Sequence, residues 1–487
     1  MTTTTTARRF IAVAAAATTV AFGSVVTTHG FNANAAQKGT EGAGGKAVAH
    51  YAGGKTIHRS KLPSSRLFRV GLPAGEPTVG VTNEDNVYYV AIQTNTRVEV
   101  LKSANQGAKW EIVSPKLPNG RNAQLLTFDP YIWIDDTEGA DRIFTIDLTV
   151  ACAYLSYSDD EAKTWVTNPL ACGRAVNDHQ TLFGGPPKSS PTVGYPNIVY
   201  YCWNDVATSS CSKSLDGGIT FHPTGTPAFL GPDVQEQASC GGLHGHGYVD
   251  QKGNVYLPRG YCGQPYVSIS RDEGVTWEQH QVAKNGVSDH EMSVATDPKG
   301  NIYITWIGPD RLPYLAISKN DGKRWSKPMM IGSPGVNEAN LPSLDVGGVG
   351  KVAIAYMGSE NSPGMNKKGE WPNQGGCSAI TSCPDGEEYD HTTWNGYMTV
   401  STNALSKSPV FYSATVNDKK DPIKRGRCGP GRCGTTVYDF IDLVIAPDGQ
   451  VWSAWVDACT TVCVDPRATS DGGNDGVVGT LTGINLR

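Results

Sequence analysis

The chain has 487 residues, of which 56 are glycine and 30 are proline, and a formal net charge of −5. So small a charge on a chain of this length implies no nucleic-acid partner. Helical periodicity is scarce, and short runs alternate between apolar and polar residues, which favours an all-β protein with many turns.

The first 35 residues have the pattern of a secretory signal peptide. Arg8 and Arg9 precede an apolar stretch at 10–26, and "ANA" at 33–35 is a candidate cleavage site. A membrane anchor is the alternative, but the apolar stretch is short and rich in Ala and Thr. We expect a protein secreted to the extracellular space or cell envelope, with a flexible lead-in at 36–60 and no membrane span in the mature chain.

Twelve cysteines follow the signal as near neighbours, which in an exported chain indicates disulfide bonds. The spacing of Cys428 and Cys433 could also suggest a metal site, but no histidine lies nearby, so a stapled loop is favoured. The neighbouring cysteines are Cys152 and Cys172, Cys202 and Cys211, Cys240 and Cys262, Cys377 and Cys383, Cys428 and Cys433, and Cys459 and Cys463.

One octet recurs five times along the chain: "SANQGAKW" from Ser103, "SDDEAKTW" from Ser158, "SLDGGITF" from Ser214, "SRDEGVTW" from Ser270 and "SKNDGKRW" from Ser318. A fixed period near 55 residues indicates a propeller or a solenoid. The Asp or Asn can accept backbone hydrogen bonds within a turn, and Gly permits the positive φ that closes it. Ala162 replaces this Gly in the second copy, so that turn is expected to be strained or altered.

A second pattern, strand–polar turn–strand with an aromatic residue, occurs seven times and is clearest at 249–260, 295–308 and 446–457. Seven such units predict a β-propeller of seven four-stranded blades, with six as the alternative, and with the octet joining strands three and four. The stretch at 48–60 or 61–72 is expected to supply the missing fourth strand of the last blade. The predicted propeller domain spans 61–487, with insertions at 359–395 and 417–436.

The octet resembles the Asp-box, or BNR repeat, of sialidases, related glycoside hydrolases and several binding propellers. In sialidases an early Phe-Arg-Ile-Pro motif gives one of three arginines that hold the substrate carboxylate, a task suited to a planar guanidinium. An Asp acts there as acid/base, and a Tyr activated by a Glu attacks the sugar. Phe68 and Arg69 of "FRVGLP" match this motif, while Val70 and Gly71 differ. The following strand, "EPTVGV" at 76–81, is favoured as the innermost one.

Propeller topology places all five octets on one face and all twelve cysteines on the other. The innermost strands begin at the cysteine face, where they carry unusually polar residues that could perform acid/base chemistry, bind Zn²⁺ or Ca²⁺, or only support neighbouring blades. The candidate catalytic residues are Glu76, Asp129, His246, Asp289, Glu291 and Asp439, and the candidate substrate-binding residues are Arg69, His179, His244, Tyr248, Arg259, His290 and Tyr438.

The sequence thus predicts a secreted, monomeric, sialidase-like glycoside hydrolase that acts on a glycan at the mouth of the propeller channel. A non-catalytic propeller that binds glycan or protein is one alternative. A polysaccharide lyase is another, because His and Tyr in "HGHGY" at 244–248 would suit β-elimination. No cofactor is predicted to be required, and calcium is the cofactor that the pattern leaves open.

Overall fold

The alternating runs of the sequence form β-strands throughout. A computed structural model describes residues 37–38, 41–93, 97–116, 129–137, 140–149, 152–168, 178–205, 208–230, 243–287, 291–362, 392–426, 428, 437, 439–460 and 473–487. The predicted signal at 1–35 lies outside these residues. No helix long and apolar enough to cross a bilayer occurs in the part of the chain that the structure describes.

In chain order, the strands are β1 (Gln37–Lys38), β2 (Glu41–Lys46), β3 (Val48–Tyr51), β4 (Ser64–Pro73), β5 (Thr78–Val81), β6 (Val87–Gln93), β7 (Arg97–Ser103), β8 (Lys109–Ile112), β9 (Tyr131–Asp135), β10 (Arg142–Thr149), β11 (Cys152–Ser158), β12 (Val166–Asn168), β13 (Asp178–Gly185), β14 (Ile198–Asn204), β15 (Ser209–Ser214), β16 (His222–Pro223), β17 (Tyr248–Val249), β18 (Val255–Tyr261), β19 (Gln264–Ser270), β20 (Glu278–Gln281), β21 (Met292–Thr296), β22 (Ile302–Ile307), β23 (Pro313–Ser318), β24 (Met329–Met330), β25 (Glu338–Val346), β26 (Val352–Ser359), β27 (Thr393–Ser401), β28 (Val410–Thr415), β29 (Lys424–Arg425), β30 (Asp442–Ile445), β31 (Val451–Asp457) and β32 (Asp475–Thr482).

These strands build seven antiparallel sheets, each an up-and-down blade. From the centre outward, blades 1 to 6 are β5–β8, β9–β12, β13–β16, β17–β20, β21–β24 and β25–β28, while blade 7 is β30, β31, β32 and β4. Each innermost strand contacts the innermost strands of both neighbouring blades, including β30 with β5, so the ring is closed. The protein is therefore a seven-bladed β-propeller, as the repeat predicted.

The second strands of the blades are almost wholly buried because a neighbouring blade covers each of their faces. Every residue of β14 and of β22 is buried, for example. Strands covered on both sides read as continuous apolar and aromatic runs rather than as strict alternation. Trp203, Trp306, Trp394, Trp452 and Trp455 are among the largest side chains that are fully buried between blades.

The octets form the turns between strands three and four of blades 1 to 5, as predicted. In the fourth copy the Ser270 hydroxyl donates to Asp272 (2.8 Å) and accepts the N–H of Gly274 (2.7 Å), while Asp272 accepts the N–H of Thr276 (2.9 Å). The fifth octet residue is left-handed in every copy, including Ala162 at φ 62°. That conformation costs a residue with a Cβ about 1–2 kcal/mol, so the expected strain at Ala162 is present.

The amino-terminal segment closes the ring. Strand β4 pairs with β32 from the other end of the sequence and forms the fourth strand of blade 7. Its Phe68 stacks on Trp452 at 6.3 Å and fills the space beside Gly107, where a Cβ would lie 2.7 Å from the Phe68 ring. The expected closing strand at 61–72 is therefore confirmed. The stretch at 48–60 does not close the ring, since β3 lies outside β28 of blade 6.

A glutamate within two of the octets ties one blade to the next. Glu273 in blade 4 accepts the backbone N–H groups of Lys188 and Ser189 (both 2.7 Å) and Ser190 (3.0 Å), which belong to the first turn of blade 3. Glu161 holds the same position in blade 2 and accepts the Tyr88 hydroxyl of blade 1 at 2.8 Å. The octet thus joins blades to each other as well as strands within a blade.

Replacing Glu273 with Gln should destabilise the protein most near neutral pH. Burial alone would raise the pKa of Glu273, but hydrogen bonds from Ser190 and its neighbours lower it to about 2. A lowered carboxyl pKa contributes stability that is present above the unfolded value of 4.5 and is lost as pH falls towards 2. We expect Glu273→Gln to cost about 2–3 kcal/mol at pH 7.

Urea unfolding of the variant at pH 7 and pH 3 measures this effect. Glu278→Gln is the matched control, because this side chain in the same blade is 65% exposed. Equal unfolding free energies for the two variants at pH 7 would contradict the role of Glu273 in joining the blades.

Candidate functional site

The innermost strands begin on the face opposite the octets, because each octet connects strands three and four at the far end of its blade. Five ionisable residues meet there and are called the channel-mouth cluster: Glu76, Asp129, His179, Glu291 and Asp439. They lie at or just before the first strands of blades 1, 2, 3, 5 and 7. All five are candidates from the sequence, and the closed ring brings them together although 363 residues separate Glu76 from Asp439.

An ion pair between His179 and Glu291 lies at the centre of the cluster. His179 Nε2 contacts Glu291 Oε1, and both residues are only 4% exposed. The backbone N–H of His179 donates to Asp129 Oδ2 at 3.0 Å. His179 of blade 3 therefore orients the carboxylates of Asp129 from blade 2 and Glu291 from blade 5.

A second group of contacts lies around Glu76. This side chain is 3% exposed, and its Oε1 accepts the backbone N–H of Asp439 at 3.3 Å. A hydrogen bond also links the carboxyl groups of Glu76 and Asp129. Asp129 and Asp439 are partly exposed as residues, although Asp439 Oδ1 is buried, and Glu76 is the most deeply buried residue of the three.

Burial and like charges shift the pKa values of this group. Burial, with repulsion from Asp129 and Asp439, raises the pKa of Glu76 well above its usual value. Burial is also the main reason that the pKa of Asp129 rises to about 6, against the opposing effect of His179. Burial and like charge thus favour the protonated form of Glu76, and the pKa of Asp129 rises towards the neutral range.

His179 remains charged at neutral pH. Burial alone would lower the pKa of His179, but attraction to Glu291, Asp129 and Asp439 outweighs it and raises the pKa to about 9. Burial drives the pKa of the neighbouring His244 in the opposite direction, well below its usual value, and the His179 charge adds to that effect. The two imidazoles, whose centroids are 6.1 Å apart, therefore differ in charge.

The backbone is left-handed at the start of several inner strands. Glu76 has φ 49°, His179 has φ 50° and Leu341 of blade 6 has φ 52°. Such values cost a non-glycine residue of order 1–3 kcal/mol and persist only where the surroundings impose them. Apolar Leu341 shares this left-handed conformation, so the conformation is a feature of the propeller scaffold. In blades 1 and 3 it directs the side chains of Glu76 and His179 towards the mouth.

The central channel continues below the cluster as a cavity of about 640 Å³. His246 and Asp442 lie where the cluster ends and the cavity begins, with His246 Nδ1 3.4 Å from Asp442 Oδ1. Phe440 lies between the imidazoles of His179 and His246, with centroid distances of 5.5 and 6.0 Å. Tyr248 lines the channel further down, where its hydroxyl donates to the Thr296 carbonyl oxygen (3.4 Å).

The candidate arginines lie away from the centre of the mouth. Arg69 is on β4, the outer strand of blade 7, and its Nη1 is 2.7 Å from Asp457 Oδ2. Arg259 is buried on the second strand of blade 4, where its Nη1 donates to the Ser209 hydroxyl at 3.0 Å. Three further candidates, Asp289, His290 and Tyr438, lie outside the described residues.

Two aromatic residues at the mouth were not singled out from the sequence. Phe440 stands in "YDFID", directly after the predicted Asp439. Tyr131 follows Asp129 by two positions, and its ring packs edge-on against His246 with centroids 4.9 Å apart. Their signal was present, because each flanks a predicted site residue. An aromatic residue at the start of a strand nevertheless resembles any core position, so its place on the channel axis could not be read from the sequence.

One predicted disulfide bond lies within the described residues, joining Cys202 of β14 to Cys211 of β15. Cys262, Cys428 and Cys459 are also disulfide-bonded. No cysteine of the described chain is free, and no group of three or more His, Cys, Asp or Glu residues there is arranged to hold a metal ion.

No family model and no curated protein matches the chain. Among solved structures, a protein of unknown function from Dyadobacter fermentans is 12% identical over 91% of this chain and 99% of its own, with a TM-score of 0.40. A Hadza microbial sialidase is 16% identical over 58% and 63% of the two chains, at 0.37. An Aleuria aurantia lectin is 10% identical over 71% and 96%, at 0.41. At such TM-scores these similarities carry no argument about activity.

Replacing Glu291 with Gln should remove a pH-dependent part of the stability. The raised pKa of His179 contributes stability that is fully present below its unfolded value of 6.5 and is lost as pH rises through about 9. Without the carboxylate, His179 should lose its charge in the folded protein. We therefore expect Glu291→Gln to lower the stability at pH 6 and to flatten its decline towards pH 9.

Unfolding in urea across this pH range tests the expectation. Glu338→Gln serves as the control, because it removes the carboxylate 2.9 Å from Arg311 and leaves His179 and Glu291 in place. It should keep the decline of stability between pH 6 and pH 9. An unchanged decline in Glu291→Gln would show that the ion pair is not its source.

Proposed function

We propose that this protein is a secreted Asp-box propeller, related to sialidases, that binds a glycan at the channel mouth and hydrolyses a glycosidic bond there. The octet turns support the family assignment, since their Ser and Asp side chains close five equivalent turns. Loops held by disulfide bonds beside a rigid ring of strands suit the binding of an extended ligand.

The observation that carries the proposal is the arrangement of the three carboxyl groups of Glu76, Asp129 and Asp439. Hydrolysis of a glycosidic bond uses one carboxyl group as an acid and another as a base or nucleophile. Asp129, with a pKa of about 6 and partial exposure, suits the acid. Asp439 suits the second role, and buried Glu76 acts as a positioning residue that accepts the Asp439 N–H.

His179 and Glu291 support the two reacting carboxyl groups. The His179 backbone N–H fixes one oxygen of Asp129, and its cationic ring offsets the negative charge of the cluster. A positive charge close to two carboxylates reduces the cost of holding them together. The ion pair therefore positions the reacting groups and takes no proton itself.

The proposal does not require sialic acid as the sugar. In sialidases the substrate carboxylate is held by three arginines, but Arg69 here pairs with Asp457 on the outer strand of blade 7, and Arg311 pairs with Glu338. Among the described residues, no three arginines meet at the channel-mouth cluster. The substrate class is therefore stated only as a glycan.

A non-catalytic glycan-binding propeller is the second candidate. The observation in its favour is that His179 and Glu291 neutralise each other and are both almost fully buried. A buried ion pair of this kind is also expected in a cluster with a purely structural role. The partial exposure of Asp129 and Asp439 instead favours a catalytic role.

The test is a screen of the purified protein against sialosides, neutral and amino-sugar glycosides, and polysaccharides. For an active substrate, Asp129→Asn should lower kcat/KM by about 100-fold or more, because the acid is lost. Asp345→Asn is the matched control: burial also raises the pKa of Asp345 to about 6, but it lies towards the other end of the channel. We expect its activity to stay within about threefold of the parent.

The pH profile provides an independent readout. The parent rate should fall as pH rises above about 6, since Asp129 must be protonated to act as an acid. Turnover that is unaffected in Asp129→Asn would refute the catalytic assignment. Glycan binding that is lost in this variant, without turnover of any substrate by the parent, would establish the second candidate instead. An unsaturated product would identify a lyase.

A further inference from the structure

A buried arginine between blades 3 and 4 has no carboxylate partner. Arg259 is 4% exposed, and among the described residues none of its atoms forms an ion pair. Two other buried arginines are paired: Arg142 lies 2.6 Å from Asp159, and Arg311 lies 2.9 Å from Glu338. A buried charge is normally paired because removing it from water costs several kcal/mol.

Arg259 forms no ion pair among the described residues, but Asp205 attracts its charge, so the surroundings compensate that charge only in part. Its Nη1 donates to the Ser209 hydroxyl at 3.0 Å, and its guanidinium lies 5.6 Å from the Phe229 ring and 5.8 Å from the Tyr261 ring. Neutral partners and aromatic faces offset only part of the cost of burial. Burial accordingly lowers the pKa of Arg259 to about 10, which still leaves it charged at neutral pH.

A second buried donor beside Arg259 also lacks an acceptor. Ser209 donates its hydroxyl hydrogen to Asn204 Oδ1 at 2.9 Å, so Asn204, Ser209 and Arg259 form one connected group, called the Arg259 pocket. Asn204 is 3% exposed, and neither its Nδ2 nor the Nε of Arg259 has a hydrogen-bond partner among the described residues. Buried polar atoms are rarely left unsatisfied, so two adjacent orphan donors indicate a missing acceptor.

The scaffold around the pocket is rigid. Asn204 and Ser209 are cross-strand neighbours at the ends of β14 and β15, and the Cys202–Cys211 disulfide bond joins the same strands two residues away. The His244 backbone N–H also approaches Asn204 Oδ1, at 3.4 Å, and connects the pocket to blade 4. The donors are therefore held in place before any ligand arrives, which lowers the cost of binding one.

We propose that the Arg259 pocket binds a small monoanion, which accepts hydrogen bonds from Arg259 Nε and Asn204 Nδ2 and neutralises the buried guanidinium. A water molecule would satisfy the donors but would leave the charge uncompensated. The monoanion is either a free ion such as a halide or the carboxylate of a bound ligand. This site is separate from the catalytic carboxylates, and its test does not depend on turnover.

The first experiment compares the thermal unfolding of the parent and of Arg259→Met in a low-salt buffer and in added sodium chloride, sodium acetate or sodium glucuronate. Without added anion, Arg259→Met should be at least as stable as the parent, because an unpaired buried charge has been removed. An anion that occupies the site should raise the parent Tm by about 3 °C or more and leave the variant unchanged.

Arg271→Met controls for the loss of a positive charge, since this side chain in the same blade is 33% exposed and lies outside the pocket. It should keep the anion response of the parent. Responses to chloride and acetate identify a free ion, whereas a response to glucuronate alone identifies a ligand carboxylate. Equal responses of the parent and Arg259→Met to every anion would overturn the proposal.

A crystallographic measurement keeps the test decisive if Arg259→Met fails to fold. Crystals of the parent soaked in sodium bromide should show an anomalous peak within hydrogen-bond distance of Arg259 Nε. If the thermal data identify only a ligand carboxylate, soaking with glucuronate should place its carboxylate at the same position. A water molecule there, with neither anion bound, would overturn the proposal.

Discussion

The pairing of β4 with β32 is the interaction on which the rest of the molecule depends. These strands lie about 400 residues apart in the sequence, and their register joins Phe68 to Val478 and Ser64 to Thr482. Without this pairing, blade 7 would be a three-stranded sheet with an exposed edge. The channel-mouth cluster needs the closed ring, because Glu76 comes from blade 1 and Asp439 from blade 7.

Local turn chemistry made most of the fold readable from the sequence. The octet places its Ser, Asp and Gly within five residues, so each copy signals its turn without reference to distant parts of the chain. The number of blades followed from counting the seven strand–turn–strand units, and the octets were placed between the third and fourth strands of each blade that carries one. The extra strands that β1, β2 and β3 add to blades 1, 7 and 6 could not be foreseen, because two- to six-residue edge strands pair through backbone groups and are too short to show a clear side-chain pattern.

The location of the candidate site could be predicted from the sequence, but most of its side-chain contacts could not. Topology alone brings the starts of the inner strands together, so Glu76, Asp129 and His179 could be named. The partner of each side chain depends on rotamers and on distances between blades, which residue order does not encode. The pairing of His179 with Glu291 across two blades, and the position of Arg69 on an outer strand, therefore could not be read from the sequence.

Charge compensation distinguishes the two buried cations His179 and Arg259. His179 of blade 3 is buried with carboxylates close enough to keep it protonated, whereas Arg259 of blade 4 forms no ion pair among the described residues and, among carboxylates, is attracted only by Asp205. A guanidinium cannot respond as an imidazole would, because it does not release its proton near neutral pH. The protein must therefore bear the cost of that charge or recruit an anion, and the unsatisfied donor on Asn204 points to the second.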